Sequence, residues 1–290
     1  MTNGPGVVIS GRDGVRRVRF DAPDGSGLEL EVLSRDELGR RAGEALDKPL
    51  RTEFHRLMLV DAGHSWHEVD FIRHPLSPGT VLWVRPGQVQ RFGPPVDSEL
   101  VLFTPGVPAG SPSELGPLPV HHRGGLVWRL DDEAYRSIRE IARQLRLEAA
   151  HPTTTSDWAR RHLLSLLLLR ISHTAPARTV PGNTEGIAAR FAAEVERDFA
   201  RTHRVADYAE RLGYSARTLS RASTAATGHS AREVVEARIT LEAKRLLAYT
   251  DLATAVVGRR LGFSEPTNFG KFFLRRTGLT PGQFRRTLTS

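Results

Sequence analysis

The chain has 290 residues, 39% of them hydrophobic and 26% charged, with no cysteine and a formal net charge of +8 at pH 7. That length and composition describe a globular protein with room for two cores and exclude a disordered or fibrous chain. The lack of cysteine excludes disulfides, thiolate nucleophiles and Cys-ligated zinc or iron–sulfur sites, so a metal would need His and carboxylate ligands.

In chain order, the N-terminal MTNGPGVVIS lacks a basic stretch leading into an apolar core, and no run of eighteen apolar residues occurs anywhere. Neither a secretory signal nor a membrane span is expected, which points to the cytoplasm. Residues 51 to 104 read as short strands cut by Gly and Pro turns: EFHRLMLV, SWHEVDFI, TVLWVRPG and SELVLFTPG. This spacing predicts a small all-β barrel or sandwich. The Pro-rich GSPSELGPLP loop and the basic cluster His121, His122 and Arg123 follow, with solvent exposure expected.

From Asp131 the period changes. DDEAYRSIREIARQLRLEA places Tyr135, Ile138, Ile141, Leu145 and Leu147 at helical spacing, and Pro152 ends the helix. Ser156 or Asp157 can cap the next helix, SDWARRHLLSLLLLRISH, whose run from Leu163 to Leu169 is apolar on most sides. Such a helix has to be covered, either by its own barrel or by a dimer partner. The stretch TAPARTVPGNTEG, rich in Pro, Gly and small polar residues, reads as an interdomain linker.

Everything after the linker reads as helix. Residues 1 to 184 carry 23 Lys+Arg against 22 Asp+Glu, whereas residues 185 to 290 carry 18 against 11. The positive charge therefore sits in the C-terminal third, the footprint of a polyanion-binding surface. That third repeats itself. Arg211-Leu212-Gly213-Tyr214-Ser215 is echoed by Arg260-Leu261-Gly262-Phe263-Ser264 at an offset of 49, and Thr227-Gly228-His229-Ser230-Ala231 by Thr277-Gly278-Leu279-Thr280-Pro281 at an offset of 50.

Each copy has the pattern of a helix-turn-helix. VADYAERL, a Gly213 turn and a Ser215 cap precede ARTLSRASTA. In the second copy Asp251 can cap LATAVVGRRL, Gly262 makes the turn, and Pro266 stands in the first turn of EPTNFGKFFLRRT. Between them SAREVVEARITLEAKRLLAYT reads as one long helix, which would set the separation of two recognition helices and let them enter successive major grooves.

RITLEAKRLLAYT and LGFSEPTNFGKFFLRRTGLTPGQFR resemble the AraC/XylS family of bacterial transcription regulators, over roughly residues 187 to 287. The departures are Gly258 in place of the family's usual Ala, Gly270 inside the second recognition helix, and Ala222-Ser223 in place of a bulky pair after the first. The resemblance implies base-facing residues Arg217, Ser220 and Arg221 in the first recognition helix and Pro266, Thr267 and Lys271 in the second. Arg275 and Arg276, with Arg285 and Arg286, would meet phosphate.

HRLMLVDAGHSWHEVDFIRHPLSPGTVLWVRPGQVQRFG resembles the cupin-like barrel that the family often carries. In cupin enzymes such a barrel holds a metal by a His-x-His, Glu and distal His set. Here Ser65 and Trp66 separate His64 from His67, Glu68 follows, and Gln90 stands at the distal position, so the set is incomplete and no metal is expected. Trp66, Trp83, Arg85, Gln88 and Gln90 are candidate effector-pocket residues, combining apolar walls with a few polar groups.

The reading is thus a multidomain α+β protein: a cupin-like β-barrel sensor domain over 1–130, a helical dimerisation or packing segment over 131–175, a linker over 176–186 and an all-α double helix-turn-helix domain over 187–290. It would bind double-stranded promoter DNA as a homodimer, sense a small-molecule effector and contact RNA polymerase, with no catalytic residue, cofactor or membrane involved. The rival reading is a cupin enzyme, a metal-dependent oxygenase or isomerase with a helical appendage.

Overall fold

The computed structural model describes residues 3–4, 6–10, 16–21, 28–107, 126–149, 153–174 and 184–289. The chain divides into two compact units, Met1–Ala177 and Arg178–Ser290. His121, His122, Arg123 and the GSPSELGPLP loop lie outside the described residues, as do residues 176–183 of the expected linker.

The first unit opens with strands β1 (Asn3–Gly4), β2 (Gly6–Ser10), β3 (Arg16–Asp21) and β4 (Leu30–Ser34), then helix α1 (Arg35–Ala42) and a 3-10 turn at Gly43–Asp47. Strands β5 (Leu50–Thr52), β6 (His55–Ala62), β7 (Ser65–Val69), β8 (Ile72–Leu76), β9 (Thr80–Val84), β10 (Val89–Phe92), β11 (Asp97–Phe103) and β12 (Leu126–Arg129) follow. They form a seven-stranded sheet in the order β1-β2-β3-β5-β10-β7-β8 and a five-stranded sheet in the order β12-β9-β6-β11-β4. The two sheets face each other, the architecture of a cupin-like barrel.

The five-stranded sheet is buried on both faces, which explains the unbroken apolar runs LMLV and LVLF. Met58, Val60, Leu82, Leu100 and Leu102 point toward the other sheet, meeting Val18, Leu50, Val69 and Phe92. Their neighbours Leu57, Leu59, Val81, Val101 and Phe103 point the opposite way, under helices α2 (Asp132–Ala149) and α3 (Thr154–Thr174). Strand alternation separates the two cores.

The greasy helix is thus covered mainly by its own unit. Leu164, Leu167, Leu168 and Ile171 are buried with Ile138, Ile141, Ala142 and Leu145 of α2. Helices α2 and α3 belong to the sheet unit rather than to a separate segment. Leu147 departs from the expected apolar face and is 50% exposed. α3 also starts earlier than Ser156, because Thr153 supplies the cap: its Oγ1 accepts from Ser156 N–H at 3.0 Å, and Ser156 Oγ accepts from Thr153 N–H at 2.6 Å.

One expected strand is two. SWHEVDFI is interrupted by a two-residue hairpin turn at Asp70 and Phe71, both at positive φ (50° and 70°), between paired Val69 and Ile72. The twist of such a turn suits a hairpin, but a Phe at positive φ is unusual and gives little signal in sequence. The Asp70 carboxylate secures it by accepting from Val89 N–H (3.1 Å) and Gln88 Nε2 (2.9 Å).

The second unit is all helix: α4 (Thr184–Asp198), α5 (Val205–Leu212), α6 (Ala216–Thr227), α7 (Ala231–Tyr249), α8 (Thr254–Arg260), α9 (Pro266–Thr277) and α10 (Pro281–Thr289). α4 takes in residues 184–186 of the expected linker. Its Glu196 carboxylate holds Arg238 of α7 at 2.6 and 2.8 Å, and Arg238 reaches Glu242 at 3.1 Å, so α4 is clamped to the long helix.

Candidate nucleic-acid interface and interior cavity

The repeat holds down to single hydrogen bonds. Gly213, Gly228, Gly262 and Gly278 all have positive φ, as the turns require. After the first recognition helix, Thr227 Oγ1 accepts from His229 N–H (3.2 Å), and Ser230 and Glu233 form a capping box. After the second, Thr277 Oγ1 accepts from Leu279 N–H (3.3 Å), and Thr280 with Gln283 makes the same reciprocal pair (3.2 and 2.8 Å). The helix α8 begins at Thr254 after Ala253, with no side-chain cap, so Asp251 does not serve the capping role expected of it.

The recognition helices present equivalent faces. In α6, Leu219, Ala222 and Ser223 are buried; fifty positions on, Phe269, Phe272 and Phe273 of α9 are buried in their place. The opposite faces carry Arg217, half-exposed Ser220, Arg221 and Thr224 on α6, and Pro266, Thr267, Asn268, Lys271, Leu274 and Arg275 on α9. Arg217, Arg221 and Lys271 have no hydrogen bond or ion pair to another described residue. Their cationic ends are left to solvent. Thr224 and Asn268 escaped the sequence reading, although helical spacing from Arg221 and adjacency to Thr267 mark them.

The four arginines expected at phosphate differ in their surroundings. Arg275 and Arg276 both approach the Glu236 carboxylate of α7 at 3.4 Å, with Arg276 the more enclosed. Arg285 is committed elsewhere. It donates to the carbonyl oxygens of Leu247 (3.2 Å), Thr250 (3.3 Å) and Leu252, closing off the C-terminal end of α7. Arg286 is exposed.

α7 has 19 residues, and at about 1.5 Å per residue it spans roughly 28 Å. A second brace was not legible in sequence. The Gly262 turn lies so close to the segment after α4 that a Cβ there would meet Ala200 O at 2.4 Å. His203 Nε2 donates to Leu261 O at 2.7 Å, and its ring packs on Phe263.

In the first unit, the candidate pocket residues separate. Trp83 packs on the helix-facing side, its Nε1 donating to His55 Nδ1 at 3.1 Å. Trp66 lies under the Arg73 guanidinium, 4.4 Å from the ring centre. Gln88 ties the turn, bonding Arg85 N–H (2.8 Å) and Asp70. Gln90 alone of the five lines the interior cavity, whose volume is about 20 Å³.

The histidine positions explain themselves on geometry. His64 is exposed and Glu68 faces Arg73 at 3.3 Å, whereas His67 is fully buried, its Nε2 2.8 Å from Arg56 Nη2 and 3.2 Å from Gln90 Oε1. A guanidinium thus stands beside the buried His67 imidazole, with His74 opposite it on β8. Among the described residues no three His, Asp or Glu side chains are grouped to hold a metal, and no helix is long and apolar enough to cross a membrane.

Known proteins match both units. The helix-turn-helix domain family matches residues 208–287, and the AraC-like ligand binding domain family matches residues 41–172. The chain belongs to the AraC family. It is a DNA-binding transcription regulator, with the helix-turn-helix helices in its second unit and the AraC-like ligand binding domain in its first. Relatives in this family include the HTH-type transcriptional activator RhaS of Citrobacter koseri, 22% identical over 245 residues, covering 81% of this chain and 86% of RhaS. RhaS of Escherichia coli O139:H28 is 23% identical over 248 residues with the same coverage. Among solved structures, ToxT from Vibrio cholerae O395 is similar over 83% of this chain and 92% of its own, at 13% identity and a TM-score of 0.39. The DNA-binding domain of AdpA, solved with a target DNA, is similar over 35% of this chain and 90% of its own, at 28% identity and a TM-score of 0.32.

Proposed function

We propose that this AraC-family chain works in the cytoplasm as a homodimer that activates the genes beside its operator, inserting α6 and α9 into successive major grooves in response to a small molecule held by the first unit. The reading rests on one observation: Arg217 and Arg221 of α6, and Thr267 and Lys271 of α9, stand exposed at matching positions, with the three cations unpartnered among the described residues. Arg recognises guanine O6 and N7, Thr bonds bases or packs a thymine methyl, and Lys reaches guanine or phosphate. Activation is the role that the names of the RhaS relatives carry, and it implies contact with RNA polymerase. No catalytic step is asked of the chain, which sets aside the cupin-enzyme reading.

Selection of bound sequences from a random DNA pool tests it. Two half-sites about 10 base pairs apart are expected for each chain. Enrichment of no sequence at all would make this an architectural DNA-binding protein and refute the proposal.

A further inference from the structure

Arg56 is an unusual residue to find inside a barrel. It is 2% exposed, and no carboxylate among the described residues pairs with it. Its neighbours are His67, Gln90 and the Phe92 ring, whose centre is 4.4 Å from the Arg56 guanidinium carbon and 4.8 Å from that of Arg35. A buried cation without a counterion costs several kcal/mol. Burial and the second positive charge of Arg35 both work against it, and both push the Arg56 pKa down.

Around this cation four buried polar atoms have no partner among the described residues, namely Arg56 Nε, Thr52 Oγ1, Gln90 Nε2 and His67 Nδ1, and the Nε2 of His74, opposite His67 on β8, has none either. The chemistry of the four is of one kind. Arg Nε and an amide nitrogen only donate, and a hydroxyl can donate. Because Arg56 donates into His67 Nε2, the ring proton sits on Nδ1, which becomes the fourth donor. Arg56, Thr52 and Gln90 line the cavity, and His67 accepts from Arg56 with its Nε2 lying 3.2 Å from Gln90 Oε1. What this arrangement lacks is an acceptor carrying negative charge.

We propose that the barrel interior binds a small carboxylate, with Arg56 as its counterion, Thr52, His67 and Gln90 as further hydrogen-bond donors, and Leu38, Leu46 and Phe54 around its apolar tail. The proposal rests on the reading of this unit as the effector-binding half of the regulator and names the class of effector. A cavity of about 20 Å³ has room for about one water. Water would satisfy the donors but leave the charge unbalanced. A carboxylate with even a short tail exceeds that space, so its binding displaces Leu38 of α1 and Leu46 of the 3-10 turn. α1 is tied to α2 by Glu37 and Arg146, 3.2 Å apart, so the displacement is felt in the helix pair.

All four tryptophans, Trp66, Trp83, Trp128 and Trp158, lie in the first unit, so fluorescence-detected melting of the full chain follows this unit alone. Acetate, propionate and butyrate are compared with their amides and with sodium chloride at equal ionic strength. At least one carboxylate is expected to raise the midpoint, and neither its amide nor chloride to match it. Arg56→Met should weaken that carboxylate by about tenfold or more, the loss of a charge-assisted hydrogen bond. If Arg56→Met fails to fold, Gln90→Leu should weaken it severalfold. Equal binding to Arg56→Met, equal shifts by the amides or by chloride, or no shift by any carboxylate each overturn the proposal. A shift by an amide or another neutral compound, together with altered DNA affinity, would leave the effector-responsive regulator standing and remove only the carboxylate. Carboxylate binding that leaves DNA affinity unchanged would do the reverse.

Discussion

A Cβ atom placed on Gly258 of α8 would stand 3.0 Å from the Cβ of Phe269 in α9 and 3.2 Å from its Cγ. Phe269 is fully buried, so the recognition helix of the second unit leans directly on the backbone of the helix before it. A Cβ on Gly270, one residue further along α9, would meet no described atom within 4 Å apart from its chain neighbours and its own helix backbone.

The two glycines should therefore respond oppositely to alanine. Gly in a helix interior costs up to about 1 kcal/mol relative to Ala. Gly270→Ala should recover about 0.5–1 kcal/mol. In Gly258→Ala the same gain is set against displacement of Phe269, and overpacking of this kind costs about 1–3 kcal/mol, so a net loss is expected. Far-ultraviolet circular dichroism melts of the full chain would measure both, and stabilisation by Gly258→Ala would contradict the packing argument.

The second unit was largely legible in sequence because its signals are local. Glycines at turn positions, Ser and Thr caps, and helical spacing each act within a few residues, and the repeat doubled every one of them. What escaped is what depends on distant partners: the docking of Gly262 on Ala200, and the use of Arg285 as a cap for α7. In the first unit the strands were visible but their facing was not. β6 and β11 are apolar on both faces, so alternation could not say which side chains look inward. Nothing in the sequence therefore marks Trp83 as facing the helices, or Arg56, an ionic residue inside an apolar strand, as facing the cavity.

Arg221 and Arg285 separate recognition from stability. Arg221→Ala should lower affinity for the selected site by about 1–3 kcal/mol and relax preference at one or two base pairs. Arg285→Ala strips three backbone carbonyls of their donor and should lower thermal stability by about 1–3 kcal/mol, with the salt dependence of DNA binding unchanged. Gel-shift competition and melting curves on the same two variants decide. An equal loss on specific and random DNA would reduce Arg221 to a phosphate contact.

Acid should unfold the first unit. Burial first and the Arg56 charge second hold the His67 pKa well below the ordinary imidazole value, and burial with Arg85 pushes His55 down to about 3. Unfolded, both titrate near pH 6.5, so below about that pH the unfolded state binds more protons than the folded one. The stability contributed by the neutral rings is complete above about pH 7 and is lost as pH falls through 6.5 toward 3, at up to about 1.4 kcal/mol per pH unit for each ring. Urea midpoints followed by tryptophan fluorescence should drop steeply between about pH 7 and pH 5. A flat profile would mean that both rings are protonated without cost.

The face of α3 turned away from the sheet carries Thr155, Trp158, His162, Leu166 and Arg170 at helical spacing. Trp158 is 63% and Leu166 41% exposed, and the Trp158 and His162 rings stack with centres 6.1 Å apart. A groove lined by Gln144, Glu148, Ala159, His162, Leu163 and Leu166 runs beside them on α2 and α3. In the homodimer proposed above, this stripe is the surface that a second copy of the same stripe would cover across a two-fold axis. Leu166→Glu combined with Trp158→Ala should convert a dimer to a monomer in sedimentation equilibrium and weaken binding to a paired operator, while a single half-site is bound as before. Because neither residue belongs to the buried core, melting of the barrel should change by no more than about 0.5 kcal/mol. A wild-type chain that sediments as a monomer at every concentration tested would remove α3 from the assembly altogether.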